Sequence, residues 1–347
     1  MHPLNAARRR LHEGISYQLR TFAGGRLSSY CRPTSIVLSL TDRCNARCIH
    51  CDIWKNRGKE DRPSLYQWRV LIADLRAWLG PVQVTFSGGE ALLNRDTIEL
   101  LSFGSSLGLF MELLTHGFWE DQTRIERLAL AQPSRVTISF DGIGETHDRI
   151  RGRAGFVMKT ERTIQTLKRM RKEHRLDFGI RLKTVIMRQN LDDICEVARF
   201  AQQEDLEVFY QPIEQNYNTA ENPLWFTHSE TWPADTEKVV GIVENLRELK
   251  RQGLPIANSP AQLDAMIPYF VNPAASRIAI QSHSAHEARQ VCSALTMLQL
   301  QANGDVVVCN AQPAIGNIKA APIREIWQNR PRWWEDGCCL ERRLSES

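Results

Sequence analysis

Residues 35–213 alternate between short apolar segments and longer amphipathic ones, and this alternation limits the possible folds more than any other feature. Strand-like segments lie at 35–40, 81–89, 110–117, 135–142, 177–186 and 207–213, with helix-like segments at 64–80, 96–108, 121–130, 156–173 and 191–205 between them. Strands separated by helices at this spacing form a parallel sheet through right-handed crossovers. The sequence therefore predicts an α/β fold, and six such units can make a partial barrel.

The segments on either side of this region carry other patterns. Leu11, Ile15, Leu19 and Phe22 are spaced as one face of a helix. Near the other end, residues 295–310 predict a β-hairpin that turns at Asn303-Gly304-Asp305. We expect a helical lead-in over 1–34 and the barrel over 35–215. A helical and loop connector over 216–290 follows, with a helix at 236–253. The C-terminal domain covers 291–347 and includes a helix around 322–330.

Charge and hydropathy exclude several classes of protein. The 44 basic and 40 acidic residues nearly balance, whereas a protein that binds nucleic-acid phosphates shows a stronger basic bias. No segment approaches the ~20 apolar residues that cross a bilayer, and no apolar stretch follows the basic N-terminus as in a secretory signal. We therefore expect a cytoplasmic protein without a nucleic-acid or membrane partner.

The cysteines need an explanation other than disulfides, because the cytosol keeps thiols reduced. Seven of the nine fall into two groups: Cys44, Cys48 and Cys51, then Cys292, Cys309, Cys338 and Cys339. The first group has the spacing Cys-x3-Cys-x2-Cys in the loop after the first strand. It can bind zinc with His50 or another cysteine as fourth ligand, or a [4Fe–4S] cluster with one iron left open.

Three motifs in order resemble those of radical SAM enzymes. Residues 44–51 (CNARCIHC) match the cysteine signature after the first strand, and residues 87–90 (SGGE) match the Gly-Gly-Glu motif at the end of the second. Residues 139–152 (SFDGIGETHDRIRG) are similar to the Ser-x-Asp-Gly…His-Asp…Arg stretch after the fourth strand. The resemblance implies a partial (β/α)6 TIM-like barrel with a small C-terminal β-hairpin and helix domain that binds a further cluster.

The resemblance also implies cofactors and the residues that bind them. S-adenosylmethionine (SAM) would bind the open iron of a cluster held by Cys44, Cys48 and Cys51, and an external reductant such as flavodoxin or ferredoxin would supply the electron that yields a 5′-deoxyadenosyl radical. The residues implied for SAM are Gly88, Gly89, Glu90, Ser139, Arg151 and Gln211. Glycines let the backbone approach the methionyl amine closely, and an arginine suits a planar carboxylate.

The second cysteine group resembles the SPASM/twitch extension. Its four cysteines suffice for one auxiliary [4Fe–4S] cluster, although the adjacent Cys338 and Cys339 are awkward ligands for one cluster, so that one of them can be free. An auxiliary cluster either takes an electron from the substrate radical or binds the substrate.

Three functions follow as hypotheses. The first is oxidation or epimerisation of a small sugar-like or aminocyclitol-like metabolite, because 34 leading residues are too few for a peptide-leader domain. The second is maturation of a ribosomally made peptide by crosslink, thioether or epimerisation. The third is a zinc-binding scaffold or nucleic-acid module. An alcohol oxidation needs a base, and the candidates near the expected barrel mouth are Glu90, His116, Asp141 and Tyr217.

Overall fold

Six parallel strands form the centre of the protein. The computed structural model describes residues 3–21, 27, 30–56, 61–216, 222, 224–273, 293–309 and 312–332. The strands are β1 (Ser35–Ser39), β2 (Gln83–Ser87), β3 (Phe110–Thr115), β4 (Arg135–Ser139), β5 (Gly179–Ile186) and β6 (Glu207–Pro212). Each pairs in parallel with the next along the chain. This confirms the predicted parallel α/β sheet.

Helices connect the strands and cover the outer face of the sheet. They are α1 (Pro3–Thr21), α2 (Leu65–Leu79), α3 (Thr97–Ser106), α4 (Thr123–Leu130), α5 (Glu145–Arg151), α6 (Phe156–Glu173) and α7 (Ile194–Gln203). In α2, Ser64 and Gln67 form a capping box at the start, and Gly80 ends the helix at φ 80°. The predicted ends of this helix are confirmed, whereas the short helix α5 was not predicted.

The C-terminal part of the chain adds helices and further strands, and these strands extend the same sheet. They are α8 (Thr236–Arg251), α9 (Pro260–Val271), β7 (Met297–Leu300), β8 (Asp305–Val307), β9 (Gly316–Asn317) and α10 (Ile323–Gln328). β7 and β8 form the predicted hairpin, and β7 also pairs in parallel with β1. The strand order is β6-β5-β4-β3-β2-β1-β7-β8-β9, so the described sheet is open and the partial barrel continues directly into the hairpin.

Helix α1 covers the N-terminal end of the barrel. The Arg9 guanidinium lies 4.5 Å from the centre of the Phe110 ring and donates to Gln83 Oε1 at 3.3 Å. Gln83 and Phe110 begin β2 and β3, so the strand ends that carry chemistry in this fold class lie at the opposite, C-terminal edge. Leu11 and Ile15 face solvent, at 64% and 51% exposure, whereas Leu19 packs against the core, so only part of the predicted apolar face of this helix is buried. Phe22 lies outside the described residues.

Polar side chains fill the barrel just above α1. Glu112 on β3 accepts hydrogen bonds from Arg135 and Thr137 on β4 and from Gln83 and Thr85 on β2. Burial raises the pKa of Glu112, but its hydrogen bond and ion pair with Arg135 outweigh this, and the pKa lies below its ordinary value. This network closes the end of the barrel that α1 covers. In the described residues no helix is long and apolar enough to span a membrane.

Candidate active site

The three cysteines of the first group share one small apolar enclosure after β1. Cys48 is buried with Ala46 and Phe156, and Cys44 and Cys51 pack against the same cluster. Burial raises the pKa of the Cys44 thiol to about 12 and also raises that of Cys51, so that without a metal these thiols stay protonated. A largely apolar, thiol-lined enclosure fits a cluster that thiolates bind.

No three His, Cys, Asp or Glu side chains of the described residues are placed to hold one metal ion together. That arrangement is what a single zinc ion requires, since all its ligands converge on one point. A cubane differs, because each thiolate binds its own iron and the sulfur atoms stay apart.

The Gly-Gly-Glu motif holds the start of the cysteine loop. The Gly89 N–H donates to Thr41 O at 2.7 Å, and the Glu90 N–H donates to Arg43 O at 2.8 Å. A Cβ at Gly88 would lie 2.3 Å from Thr41 O, and one at Gly89 would lie 2.4 Å from Arg43 O. Both glycines are therefore required by the contact with the loop that precedes Cys44.

The end of helix α5 holds the middle of the same loop. The Arg47 N–H donates to Arg151 O and the Ile49 N–H donates to Ile150 O, each at 3.0 Å. Gly152 has φ 70°, and a Cβ there would lie 2.3 Å from Arg47 O. The cysteine loop is thus fixed on both sides by backbone contacts between motifs that are distant in sequence.

Glu90 lies beneath the loop with its carboxylate fully engaged. It accepts from Thr115 Oγ1 at 2.9 Å, from the His116 N–H at 2.9 Å and from the Leu92 N–H at 3.1 Å. Burial raises its pKa to about 7, and these hydrogen bonds oppose the rise. Glu90 therefore joins the end of β2 to the end of β3.

His116 connects β3 to the cysteine loop. Its Nδ1 accepts from the Phe118 N–H, so its Nε2 carries the proton and donates to Asn45 Oδ1 at 2.7 Å. Burial lowers the pKa of His116 to about 3, and the ring is neutral beside Glu90. His116 and Glu90, two of the candidate bases, are enclosed by protein at the foot of the loop.

The third motif forms a buried network beside Cys48. Arg151 Nη2 lies 2.5 Å from Asp141 Oδ2, and its Nη1 donates to Cys48 Sγ at 3.6 Å. Asp141 also accepts from the Val185 N–H at 2.9 Å, and its own N–H donates to His147 Nδ1 at 3.0 Å. Burial raises the pKa of Asp141, but the charge of Arg151 brings it below its ordinary value. Asp141, the third candidate base, is thus an ion-pair partner with no exposed surface.

A cavity of about 360 Å³ opens at the C-terminal ends of β1, β2, β5 and β6. Its walls include Ser39, His50, Gly88, Lys183, Gln211 and Gln299. Of the residues predicted for SAM, Gly88 and Gln211 line the cavity, and Cys51 lies beside them. The Nδ1 atom of His50 is buried without a hydrogen-bond partner. The cavity therefore lies next to the cysteine loop and offers polar groups to a ligand.

Several expected residues lie elsewhere. Ser139 ends β4 opposite Lys183, and Cys309 follows β8, each of them half-buried. The other predicted residues, Tyr217, Cys292, Cys338 and Cys339, lie outside the described part of the chain.

Sequence reasoning missed several polar residues of the cavity wall, namely Ser39, Lys183, Glu214, Gln215, Asn216 and Gln299. Asn216 also accepts from the Asp52 N–H, just after the cysteine loop, at 3.2 Å. A signal for Lys183 was present, because Arg181 and Lys183 alternate with apolar residues and so share the inward face of a buried strand.

Comparison with known families decides the identity of the chain. The profile of the radical SAM superfamily matches residues 38–201, and that of the SPASM iron–sulfur cluster-binding domain matches residues 292–335. The chain belongs to the radical SAM superfamily. It is an enzyme of the SPASM/twitch subgroup, and its cofactors are SAM, the SAM-binding [4Fe–4S] cluster and an auxiliary cluster. The resemblance seen in the motifs is confirmed.

Relatives within the superfamily carry the names of different enzymes. The AdoMet-dependent heme synthase of Methanosarcina barkeri is 25% identical over 300 residues, 86% of this chain and 82% of that protein. The PqqA peptide cyclase of Rhodopseudomonas palustris is 34% identical over 182 residues, 51% of this chain and 46% of that protein. The structure of Streptococcus suis SuiB bound to S-adenosylmethionine has a TM-score of 0.64 at 16% identity, covering 88% of this chain and 67% of that one. This likeness supports the radical SAM fold.

Proposed function

We propose that the protein is a radical SAM oxidoreductase that oxidises or epimerises a small, polar metabolite of the sugar or aminocyclitol type. The observation that carries this proposal is the cavity beside the cysteine loop. Its volume of about 360 Å³ suits a small molecule, and hydroxyl, amide, ammonium and carboxylate groups line it together with apolar side chains such as Val185 and Ile213. Such a wall can hold hydroxyl-bearing substrates by directional hydrogen bonds.

The residues around this cavity divide into three roles. Cys44, Cys48 and Cys51 hold the SAM-binding cluster. Arg151, whose Nη1 donates to Cys48 Sγ, positions the carboxylate end of SAM with Ser139. Gly88, Gly89 and Gln211 shape the wall against which SAM lies, while Glu90 holds the Gly-Gly segment in place. When bound, these cofactors would supply the radical chemistry that takes hydrogen from the substrate. The protein orients the substrate C–H bond and keeps water from it.

The C-terminal cysteines hold the auxiliary cluster in this proposal. The residues are Cys292, Cys309, Cys338 and Cys339. Cys309 follows β8, whose partner β7 is hydrogen-bonded to β1, the strand that leads into the cysteine loop. This continuity of one sheet joins the segment that carries Cys309 to the strand that leads into the cysteine loop. An auxiliary cluster held there would serve as the electron acceptor when the net reaction is an oxidation. Flavodoxin or ferredoxin is the proposed reductant.

Two other substrate classes have specific support. A peptide substrate is favoured by the 34% identity to a PqqA peptide cyclase, although only about half of this chain is aligned. A tetrapyrrole is favoured by the alignment of 86% of the chain with a heme synthase, at 25% identity. The small volume of the cavity, about 360 Å³, favours the small metabolite over both, because a macrocycle or a peptide needs more room.

Transfer of deuterium from the substrate to 5′-deoxyadenosine distinguishes these three substrate classes. The anaerobically reconstituted protein is given SAM, reductant and one fraction of a uniformly deuterated cell extract: small polar metabolites, peptides or tetrapyrroles. We expect deuterium in 5′-deoxyadenosine only with the polar fraction, and none with the Cys48→Ala variant. Transfer from the peptide or tetrapyrrole fraction alone would replace the proposed substrate class, and a protein that never cleaves SAM would remove the proposal altogether.

A further inference from the structure

Arg151 is a buried cation that contacts both a cysteine sulfur and a carboxylate. Its Nη1 donates to Cys48 Sγ at 3.6 Å, and its Nη2 lies 2.5 Å from Asp141 Oδ2. The side chains of Arg151 and Asp141 are 7% and 0% exposed. One guanidinium, shielded from water, therefore connects the sulfur of the cysteine loop to a buried counter-ion.

The backbone holds this contact in place on both sides of Cys48. The Arg47 N–H donates to the carbonyl oxygen of Arg151, and the Ile49 N–H donates to that of Ile150, each at 3.0 Å. These two hydrogen bonds join the residues before and after Cys48 to the end of α5. The distance between the guanidinium and the sulfur is thus set by backbone contacts as well as by the side-chain hydrogen bond.

The other two cysteines of the loop contact neutral donors instead. The sulfurs of Cys44 and Cys51 accept hydrogen bonds from the backbone N–H groups of Ala46 and Ile53. Among the hydrogen bonds of the described residues, only the one from Arg151 brings a positively charged donor to a sulfur of this loop. The charged contact is therefore specific to one of the three sulfur atoms.

A positive charge at this point favours the reduced form of a cluster bound to Cys48. Reduction adds one electron and no proton, so the charge of the cluster becomes more negative. Hydrogen bonds to the sulfurs and the net charge are among the factors that set the potential of an iron–sulfur cluster. The enclosure around Cys48 includes Phe118 and Phe156, and in apolar surroundings a charge acts more strongly than in water.

Asp141 opposes this effect of Arg151. One of its carboxylate oxygens pairs with Nη2, and the Val185 N–H donates to the other oxygen at 2.9 Å. The carboxylate therefore stays in place as an anion next to the guanidinium. Because Nη1 contacts the Cys48 sulfur directly while the carboxylate binds the other nitrogen, the positive potential at the sulfur is reduced but not cancelled.

We propose that Arg151 raises the reduction potential of the SAM-binding cluster through its contact with Cys48, and that Asp141 limits the increase. The external reductant, flavodoxin or ferredoxin, supplies the electron. A higher potential favours this transfer, whereas a lower potential favours the onward transfer to SAM, so the ion pair sets the balance between the two steps. The inference rests on the proposed function, since it takes Cys48 as a ligand of that cluster.

A redox titration followed by electron paramagnetic resonance tests the proposal. The anaerobically reconstituted protein is titrated without SAM, and the signal that is lost in Cys48→Ala identifies the cluster. We expect Arg151→Met to lower the equilibrium constant for reduction about tenfold, which is about 59 mV for one electron. Asp141→Asn should raise the same constant, because the guanidinium then lacks its counter-ion. Iron and sulfide analysis shows that each titrated variant contains the cluster.

Arg153 provides a matched control. It is an exposed arginine whose guanidinium lies 5.4 Å from the centre of the Phe118 ring, and within the described residues it does not contact a cysteine sulfur. Solvent screens its charge, so Arg153→Met should change the constant by about twofold or less. Shifts of the same sign in Arg151→Met and Asp141→Asn, or shifts no larger than that in Arg153→Met, overturn the proposal.

The double variant of Arg151→Met with Asp141→Asn keeps the test decisive if Arg151→Met alone does not fold. It leaves no buried carboxylate without a partner. Compared with Asp141→Asn, it isolates the contribution of Arg151, and we expect its constant for reduction to be about tenfold lower. Equal potentials in these two variants overturn the proposal. A wild-type protein whose cluster is reduced but that never cleaves SAM ends the proposed function and leaves these potentials measurable, so the two failures are distinguishable.

Discussion

Arg151 and Asp141 form a buried ion pair directly beside Cys48. Their atoms Nη2 and Oδ2 are 2.5 Å apart, and both side chains are almost completely enclosed. Asp141 begins the loop after β4 and Arg151 ends α5, so the pair closes the segment that packs against the cysteine loop. The pair therefore sets the position of the arginine that contacts the Cys48 sulfur.

Removing Arg151 leaves a buried carboxylate alone. We expect Arg151→Met to lower the free energy of unfolding by about 3–5 kcal/mol, measured by anaerobic chemical denaturation. The exposed pair Arg199–Glu196 is the control, because Arg199→Met removes a surface ion pair worth about 1 kcal/mol or less. Adding Asp141→Asn to Arg151→Met should restore part of the loss, and purely additive losses would show that the two charges are not coupled.

Gly89 has no room for a side chain. We expect Gly89→Ala to cost about 1–3 kcal/mol, because the new Cβ would lie 2.4 Å from Arg43 O and push the cysteine loop away. The amounts of iron and sulfide that the variant binds after anaerobic reconstitution should decrease together with its stability. Gly241→Ala is the matched control, since nothing lies within 4 Å of that position in α8, and it should stabilise the protein slightly. Full iron content in Gly89→Ala would contradict the assigned contact.

His147 predicts a pH dependence of stability. Burial, with the charge of Arg151, lowers its pKa from 6.5 to about 3. Between these values the unfolded chain binds the extra proton, so the free energy of unfolding falls as pH falls, by at most ~1.4 kcal/mol per pH unit. His147→Asn keeps an acceptor for the Asp141 N–H but does not titrate. Denaturation between pH 4 and about 7 should therefore give a shallower slope for the variant, and identical slopes would show that His147 titrates normally.

Substitutions in the two cysteine groups should affect SAM cleavage and product formation differently. We expect Cys48→Ala to abolish formation of 5′-deoxyadenosine, and Cys309→Ala to keep SAM cleavage but lose product. Cys195→Ala on α7 is the control and should keep both activities. Chromatography of the products measures each outcome. Full product formation by Cys309→Ala would mean that the second cluster takes no part in the reaction.

Local sequence signals predicted most of the regular elements because each signal acts over a few residues. The helix predicted over 64–80 begins at the cap Ser64 and ends at Gly80, as the structure shows, and Asn303-Gly304-Asp305 predicted the hairpin turn. Helix α9 could have been found in the same way, since Ser259 and Gln262 form a capping box ahead of it. The pairing of β7 with β1 could not be found, because strands far apart in sequence carry no local sign of their neighbour.

The same distinction between local signals and tertiary contacts applies to the candidate site. The motifs showed which residues lie near the cysteine loop, but their chemistry depended on contacts across the barrel. Glu90, His116 and Asp141 all had the chemistry of a base, and the structure places each of them in a closed network. Lys183 had no motif, and it is the one that faces the cavity.

The sequence by itself determined the alternating fold, the cysteine spacing and hence the superfamily, because these depend on residue type and on distance along the chain. Only the tertiary structure decided which charges are neutralised and which are presented to a ligand. The reason is physical: the free energy of a charge depends on the atoms within a few ångströms of it, and in a parallel barrel those atoms come from strands separated by dozens of residues.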